Sequence, residues 1–465
     1  MKKPLLIAIL LSSLSLFLVW WILQNYLLYS RLKKDTQAYL SQTINGEELE
    51  KELPSKIIAN LEKINQKLNK INFKKLEPIQ AVSNDLLLLS KKFIKTDRSY
   101  IVLLQNSDEI RATGGFTGSF FILESQAGQI QTPIIQDIYV PDGQFQGFVE
   151  APAGLKEYLS AGKGMRLPDA NWWPDFPSSA EEILNFFAKV DDKKYEGVIS
   201  INLQVVEKLL AITGDIYLPD YQQYVNQDNF AQIARADRDE FFPGSQEKVN
   251  FLNHFFKIFK LELGKKIKEE PQAFLSLIQE MINNKDLQAY SQDQEIQELI
   301  ERRKIAGRMQ NNQEVLYYFP VESNVGINKA NRLVSRQITM NIKENGEALS
   351  LNFGNNNQYP YINYQRLYTN PNTTLQSIKI NGQAIEKIDQ RLMQTSNGQT
   401  WLEIGFLAAI LENSSTQVEI NLKSNLNQEQ KREVFVAKQA GLRNSQLNVN
   451  GQEIQFTGDQ LINLD

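Results

Sequence analysis

Arginines and carboxylates that could meet around a phosphate are spread over residues 106–242 of the chain. Arg111 stands in the string N-S-D-E-I-R-A-T-G-G-F-T-G-S, three residues ahead of the pair Gly114 and Gly115. A guanidinium beside glycines is what an anion needs, because the fork binds two oxygens and bare backbone lets amides approach. Arg235 and Arg238 are three apart and share a face if their segment is helical. Asp137 and Asp175 are hard oxygen ligands of the kind a magnesium ion takes. Asp175 lies just before Ser178-Ser179-Ala180-Glu181, a capping-box pattern whose helix N-terminus offers free amides to an anion. Together these residues read as a phosphoryl or pyrophosphoryl site. Arg111, Arg235 and Arg238 would hold phosphate, Asp137 and Asp175 the metal, and Gly114 and Gly115 the loop. Read singly, the same residues are surface ion pairs and turn glycines, and the lysine of a P-loop is missing.

Composition closes several other routes. The chain has no cysteine, so disulfides, thiolate nucleophiles and Cys-ligated zinc are excluded. It has one histidine, His254, which falls off the apolar stripe Val249, Leu252, Phe256, Phe259 and reads as a surface residue. A net charge of −4 argues against a nucleic-acid partner.

The elements that would position these residues follow from patterning. Residues 5–28 are uncharged and dominated by Leu, Ile, Phe, Val and Trp, long enough for a hydrocarbon layer of about 30 Å. They predict an uncleaved single-pass signal-anchor within residues 1–30, with the N-terminus cytoplasmic and the bulk of the chain extracytoplasmic at the cell membrane. Residues 31–97 show the stripes Ile57, Leu61, Ile64, Leu68, Ile71 and Val82, Leu86, Leu89, Phe93, the pattern of a helical hairpin stalk. Over 98–310, strand-like runs such as Tyr100–Leu104 and Gly197–Ile201 alternate with helical stretches, predicting an α/β domain with a mixed sheet and a helical extension. Four Asn-Gly pairs, at 345, 381, 397 and 450, punctuate alternating apolar runs over 311–465 and predict a β-sandwich. The expected fold is multidomain: a transmembrane helix and helical stalk, a central α/β domain, and a C-terminal all-β sandwich.

The strings at 106–119, D-A-N-W-W-P-D-F-P (169–177), Y-E-G-V-I-S-I-N and L-L-A-I-T-G-D-I resemble the bacterial domain-of-unknown-function family 4012. The later pieces E-S-N-V-G-I-N-K (322–329) and K-Q-A-G (438–441) extend the resemblance over about 100–445. It implies a cell-envelope setting and no particular activity. The order Arg111, Asp137, Asn202, Gly214, then Arg235 and Arg238 is remotely similar to LytR-CpsA-Psr transferases. That likeness implies magnesium-dependent transfer of glycan from a polyprenyl pyrophosphate carrier to the cell wall. Thr113 and Gln136 stand where that pattern has an aspartate and an arginine, losses that weaken catalysis more than binding. The leading expectation is therefore an envelope protein that binds a phosphorylated, lipid-linked glycan or assists polymer assembly. A LytR-like transferase and a structural surface scaffold without a ligand are the alternatives.

Overall fold

The computed structural model describes residues 27–39, 42, 50, 52–71, 74–126, 129–236, 246–310, 314–427 and 430–464. Residues 5–28, expected to cross a membrane, lie outside the described residues but for the last two. Among the described residues no helix is long and apolar enough for a crossing. The longest, Gln246–Glu269, has the length but carries lysines and glutamates along it. The single-pass fold class and membrane localisation are corrected on that finding: the structure is a multidomain α/β protein with mixed sheets.

The chain divides into two compact units, 1–99 with 123–133, and 100–122 with 134–465. In the first, helices α1 (Leu53–Asn69) and α2 (Glu77–Lys95) have a proline in their first turn, where a missing amide costs nothing. Leu53, Ile57 and Leu61 bury one stripe of α1, with Leu87 of α2 packed against it. Strand β1 (Arg98–Asn106) enters the second unit at Tyr100. Strand β2 (Phe116–Gln126) ends in the first unit, where Ser125 pairs with Ile130 of the short β3 (Gln129–Ile130).

The second unit is built on a mixed sheet in the order β2-β1-β5-β8, with β4 (Gln136–Asp137) on β2. Strand β5 (Gly197–Asn202) runs parallel to β1, in the register Tyr100↔Gly197 to Gln105↔Asn202. Strand β8 (Leu287–Ser291) is antiparallel to β5. The apolar run at 101–103 is buried, as a central strand covered on both faces requires. Helix α3 (Phe176–Phe187) packs Phe176, Ile183 and Phe186 into one core. Helix α4 (Leu203–Thr213) follows β5 with no connecting residue and ends at Gly214, whose φ of +77° suits glycine. The hairpin β6 (Ile216–Leu218) and β7 (Gln223–Val225), helix α5 (Phe230–Ala236) and helix α6 (Gln246–Glu269) complete a second core around Phe255. Helices α7 (Pro271–Asn283) and α8 (Gln294–Arg302) flank β8 in sequence.

From residue 316 the chain forms two β-sheets. One holds β10 (Val334–Lys343), β11 (Gly346–Asn355), β13 (Thr373–Ile380), β14 (Gln383–Ala384), β17 (Ser414–Ser424), β19 (Ser445–Val449) and β20 (Gln452–Gln455). The other holds β9 (Leu316–Asn324), β12 (Tyr361–Thr369), β15 (Asp389–Gln394), β16 (Thr400–Ile410), β18 (Glu433–Val436) and β21 (Gln460–Asn463). Strand β11 alternates buried and half-buried residues, one face to the core. Strand β9 is buried at every position. Leu316 and Tyr318 face the inter-sheet core, whereas Tyr317, Phe319 and Val321 join a second cluster with Ala112 of the β1–β2 connection. A sheet covered on both faces ties the α/β layer and the two β-sheets into one unit.

Candidate functional site

Arg111 is buried, and its donors are taken by the protein itself. Nη1 donates to the Asn324 carbonyl at 2.7 Å and the Ile110 carbonyl at 3.2 Å. Nη2 donates to Glu109 at 3.0 Å, and Nε to Asp169 at 3.4 Å. Burial opposes its charge, but Glu109 and Asp169 outweigh that and hold the guanidinium protonated. Its geometry clamps the β1–β2 connection to strand β9. The glycines after it serve close packing. A Cβ at Gly114, whose φ is +126°, would collide with the Asn202 amide, and one at Gly115 with the Asn106 backbone. The Gly114 amide is already spent on the Arg111 carbonyl at 2.9 Å.

The other expected site residues are dispersed. Arg235 falls on α5, whose last three side chains are not described, and Arg238 lies outside the described residues. Asp137, on β4, accepts from the Tyr139 amide at 2.9 Å and faces the Lys248 ammonium at 3.7 Å. Asp175 caps α3. It accepts from the Ser178 amide and hydroxyl at 3.2 and 2.7 Å and from the Met309 amide at 3.0 Å. Burial pushes its carboxyl above the usual range, partly opposed by Arg308. Among the described residues the two aspartates share no partner. Among the described residues no group of three or more histidines, aspartates and glutamates could hold a metal ion. His254 sits on the surface, its Nδ1 2.8 Å from the Asn250 carbonyl.

A different set of cations does converge. The segment following β18 is pinned by Gln439, whose amide donates to the carbonyls of Arg111 (2.9 Å) and Glu322 (2.8 Å) and accepts from the Glu322 amide (2.7 Å). Gly441, at φ +74°, lies so close to the Gly114 carbonyl that any Cβ would overlap it. The strings at 106–119 and 438–441 thus meet in space. On one side of this junction opens a cleft of ≈ 690 Å³ lined by Lys208, Lys438 and Arg443, by the carboxylates Asp286 and Glu453, and by amides from Asn284, Gln337, Asn448 and Gln455. Lys208 pairs with Asp286 and Glu280, both at 2.9 Å, and Arg443 with Glu207 at 2.7 Å.

Lys438 differs. Among the described residues its ammonium contacts only the Gln439 carbonyl, at 3.3 Å, although an ammonium carries three donors. The residue is 5% exposed. Burial lowers its pKa to about 8; Asp286 and Asp459 pull it up, and Lys285 and Lys208 press it further down. The sequence carries a faint sign of this residue, a lysine directly after the apolar run Val434-Phe435-Val436-Ala437.

No curated protein matches the chain. The LytR-CpsA-Psr likeness receives no support, and the family match that is found stops short of the cleft segment at 438–443. Residues 95–238 match the sequence model of the family described as "Protein of unknown function (DUF4012)".

Proposed function

We propose that this protein binds a phosphorylated glycan in the cleft beside α4, as a binder and not through the Arg111 loop. The observation that carries this reading is Lys438, a buried ammonium with unused donors on the wall of a ligand-sized cleft. A phosphate oxygen would complete its hydrogen bonding and offset the burial that lowers its pKa. The amides of Gln337, Asn448 and Gln455 supply both donors and acceptors, as sugar hydroxyls require. Lys208 and Arg443 add N–H donors, held in place by their acidic partners.

Calorimetric titration of the full chain with glucose 1-phosphate, and with glucose as control, tests the proposal. The phosphorylated sugar should bind and the neutral one should not, with affinity falling as salt rises. Lys438→Met should weaken binding about 10- to 100-fold, the worth of one charge-assisted hydrogen bond. Equal binding of both sugars, or an unchanged constant in the folded variant, refutes it.

A further inference from the structure

A second site, distinct from the cleft, lies on another face of α4. Strands β1 and β5 end side by side at Gln105↔Asn202, and Asn202 is at once the last residue of β5 and the N-cap of α4. Crevices at the carboxyl ends of parallel strands are where open α/β sheets take their ligands. Asparagine at this position ordinarily caps, its Oδ1 accepting an amide of the first turn. Here the backbone has the N-cap conformation (φ −81°, ψ 159°), yet the side chain makes no capping bond. Its Oδ1 and Nδ2 are fully buried and have no partner among the described residues. Ser119 Oγ and Gln105 Oε1, also buried, are in the same condition.

All three residues line one slot of ≈ 90 Å³, together with Asn106, Lys248 and hydrocarbon from Val206, Phe230, Leu252 and Phe256. Buried polar groups are nearly always paired, so several orphans on one wall mark a place where a partner belongs. The orphans specify its chemistry. Asn202 Oδ1 and Gln105 Oε1 need donors, Asn202 Nδ2 needs an acceptor, and the Ser119 hydroxyl serves as either. A carboxylate head would confront two carbonyl oxygens, and the Lys248 ammonium on the same wall already donates to the Gly118 carbonyl at 2.8 Å and faces Asp137 at 3.7 Å. A primary carboxamide offers two N–H donors and one acceptor in a plane.

We propose that this slot binds a small amphiphile, a primary carboxamide on a short hydrocarbon chain, with the head on Asn202, Ser119 and Gln105 and the tail on Val206 and Phe256. The volume holds a molecule the size of butyramide. Arg111 and the cleft cations take no part, so the inference stands or falls separately from the glycan reading.

Ligand-observed NMR on the full chain, with butyramide and butyrate as probes, reads it directly. Butyramide should bind, and butyrate should bind at least about tenfold more weakly because it lacks the donors. Ser119→Ala should weaken butyramide by about threefold or more while leaving glucose 1-phosphate binding unchanged. Ala231→Leu, which fills the slot, should abolish it; should that variant misfold, Ser119→Ala still decides. No butyramide binding to folded wild type, equal binding of butyrate, or indifference to Ser119→Ala overturns the assignment and leaves the orphans to buried water.

Discussion

Replacing Lys438 by methionine tests whether its charge is a standing cost to the folded protein. In the unfolded chain this lysine titrates near 10.5; in the fold burial brings it to about 8. Below pH 8 the ammonium is charged in both states, so the folded state bears the whole penalty of the displaced pKa. At about 1.4 kcal/mol per unit, a displacement from 10.5 to about 8 amounts to roughly 3 kcal/mol. Between pH 8 and 10.5 the unfolded chain holds a proton that the folded chain has released. Stability from this group therefore rises with pH through that window. Methionine has similar length and no charge, so the variant lacks the penalty at every pH. It also loses the hydrogen bond to the Gln439 carbonyl, worth about 1 kcal/mol. The expected net effect is that Lys438→Met is more stable by about 2 kcal/mol at pH 7, and that this advantage vanishes by pH 10.5.

Urea unfolding of both proteins, followed by tryptophan fluorescence at pH 7, 8.5 and 10, measures the difference. The difference is the right quantity because Tyr317, Tyr318, Tyr361 and Tyr368 are pushed well above the normal tyrosine range by burial. Groups raised in the fold lose their stabilising contribution as pH climbs past their unfolded value, which opposes the lysine trend in either protein alone and cancels between them. Adding glucose 1-phosphate at 100 times its dissociation constant should stabilise the wild type by about 2.7 kcal/mol and the variant far less. A variant less stable than wild type at pH 7, or an advantage that does not change with pH, would show that Lys438 is already satisfied in the fold.

Arg111→Met should cost about 3–5 kcal/mol, because it removes the cation beside the buried Glu109 carboxylate and the donor to the Asn324 carbonyl. Urea unfolding checks this, and an unchanged midpoint would return Arg111 to the role of an available anion ligand. Gly441→Ala should destabilise by more than Gly382→Ala. Both glycines have positive φ, +74° and +79°, but a methyl group meets the Gly114 carbonyl at the first and open space at the second. The second change should cost about 1 kcal/mol and the first at least about 2. Thermal unfolding of the two variants side by side gives the comparison, and equal losses would mean the 441 junction is loose.

What could be read from the sequence was what is decided locally. The pairs Asn381-Gly382 and Asn450-Gly451 both take positive φ at two successive residues, between β13 and β14 and between β19 and β20. Their neighbours at 345 and 397 also lie between paired strands, β10 with β11 and β15 with β16. Helix α3 shows how fine the local signal is. Ser178 suggests the cap, but Asp175 takes it, because a carboxylate three residues earlier accepts both the Ser178 amide and hydroxyl. The internal partners of Arg111 were not legible, for a physical reason. Its acceptors include a carbonyl 213 residues away, and no local pattern says that a guanidinium beside glycines will be consumed internally. The cleft was invisible for the same reason, since Lys208, Asp286 and Lys438 become neighbours only through the meeting of α4, β8 and the segment after β18.

That contrast bears on which of the two cationic centres can be a site at all. Arg111 has two carboxylates and two carbonyls, so binding an external anion would first require breaking contacts that hold the β1–β2 connection to β9. Lys438 requires nothing broken. Its backbone is fixed by the Asp459 carboxylate at 2.7 Å and by the neighbouring Gln439 network, so the ammonium is held in place while its donors stay unused. A fold relieved of this charge by almost any apolar substitution has no structural reason to keep it, whereas a preorganised ammonium on a cleft wall gives an incoming phosphate its hydrogen bonds without an ordering cost. A buried charge that costs the fold stability is thus the one whose donors are placed to bind.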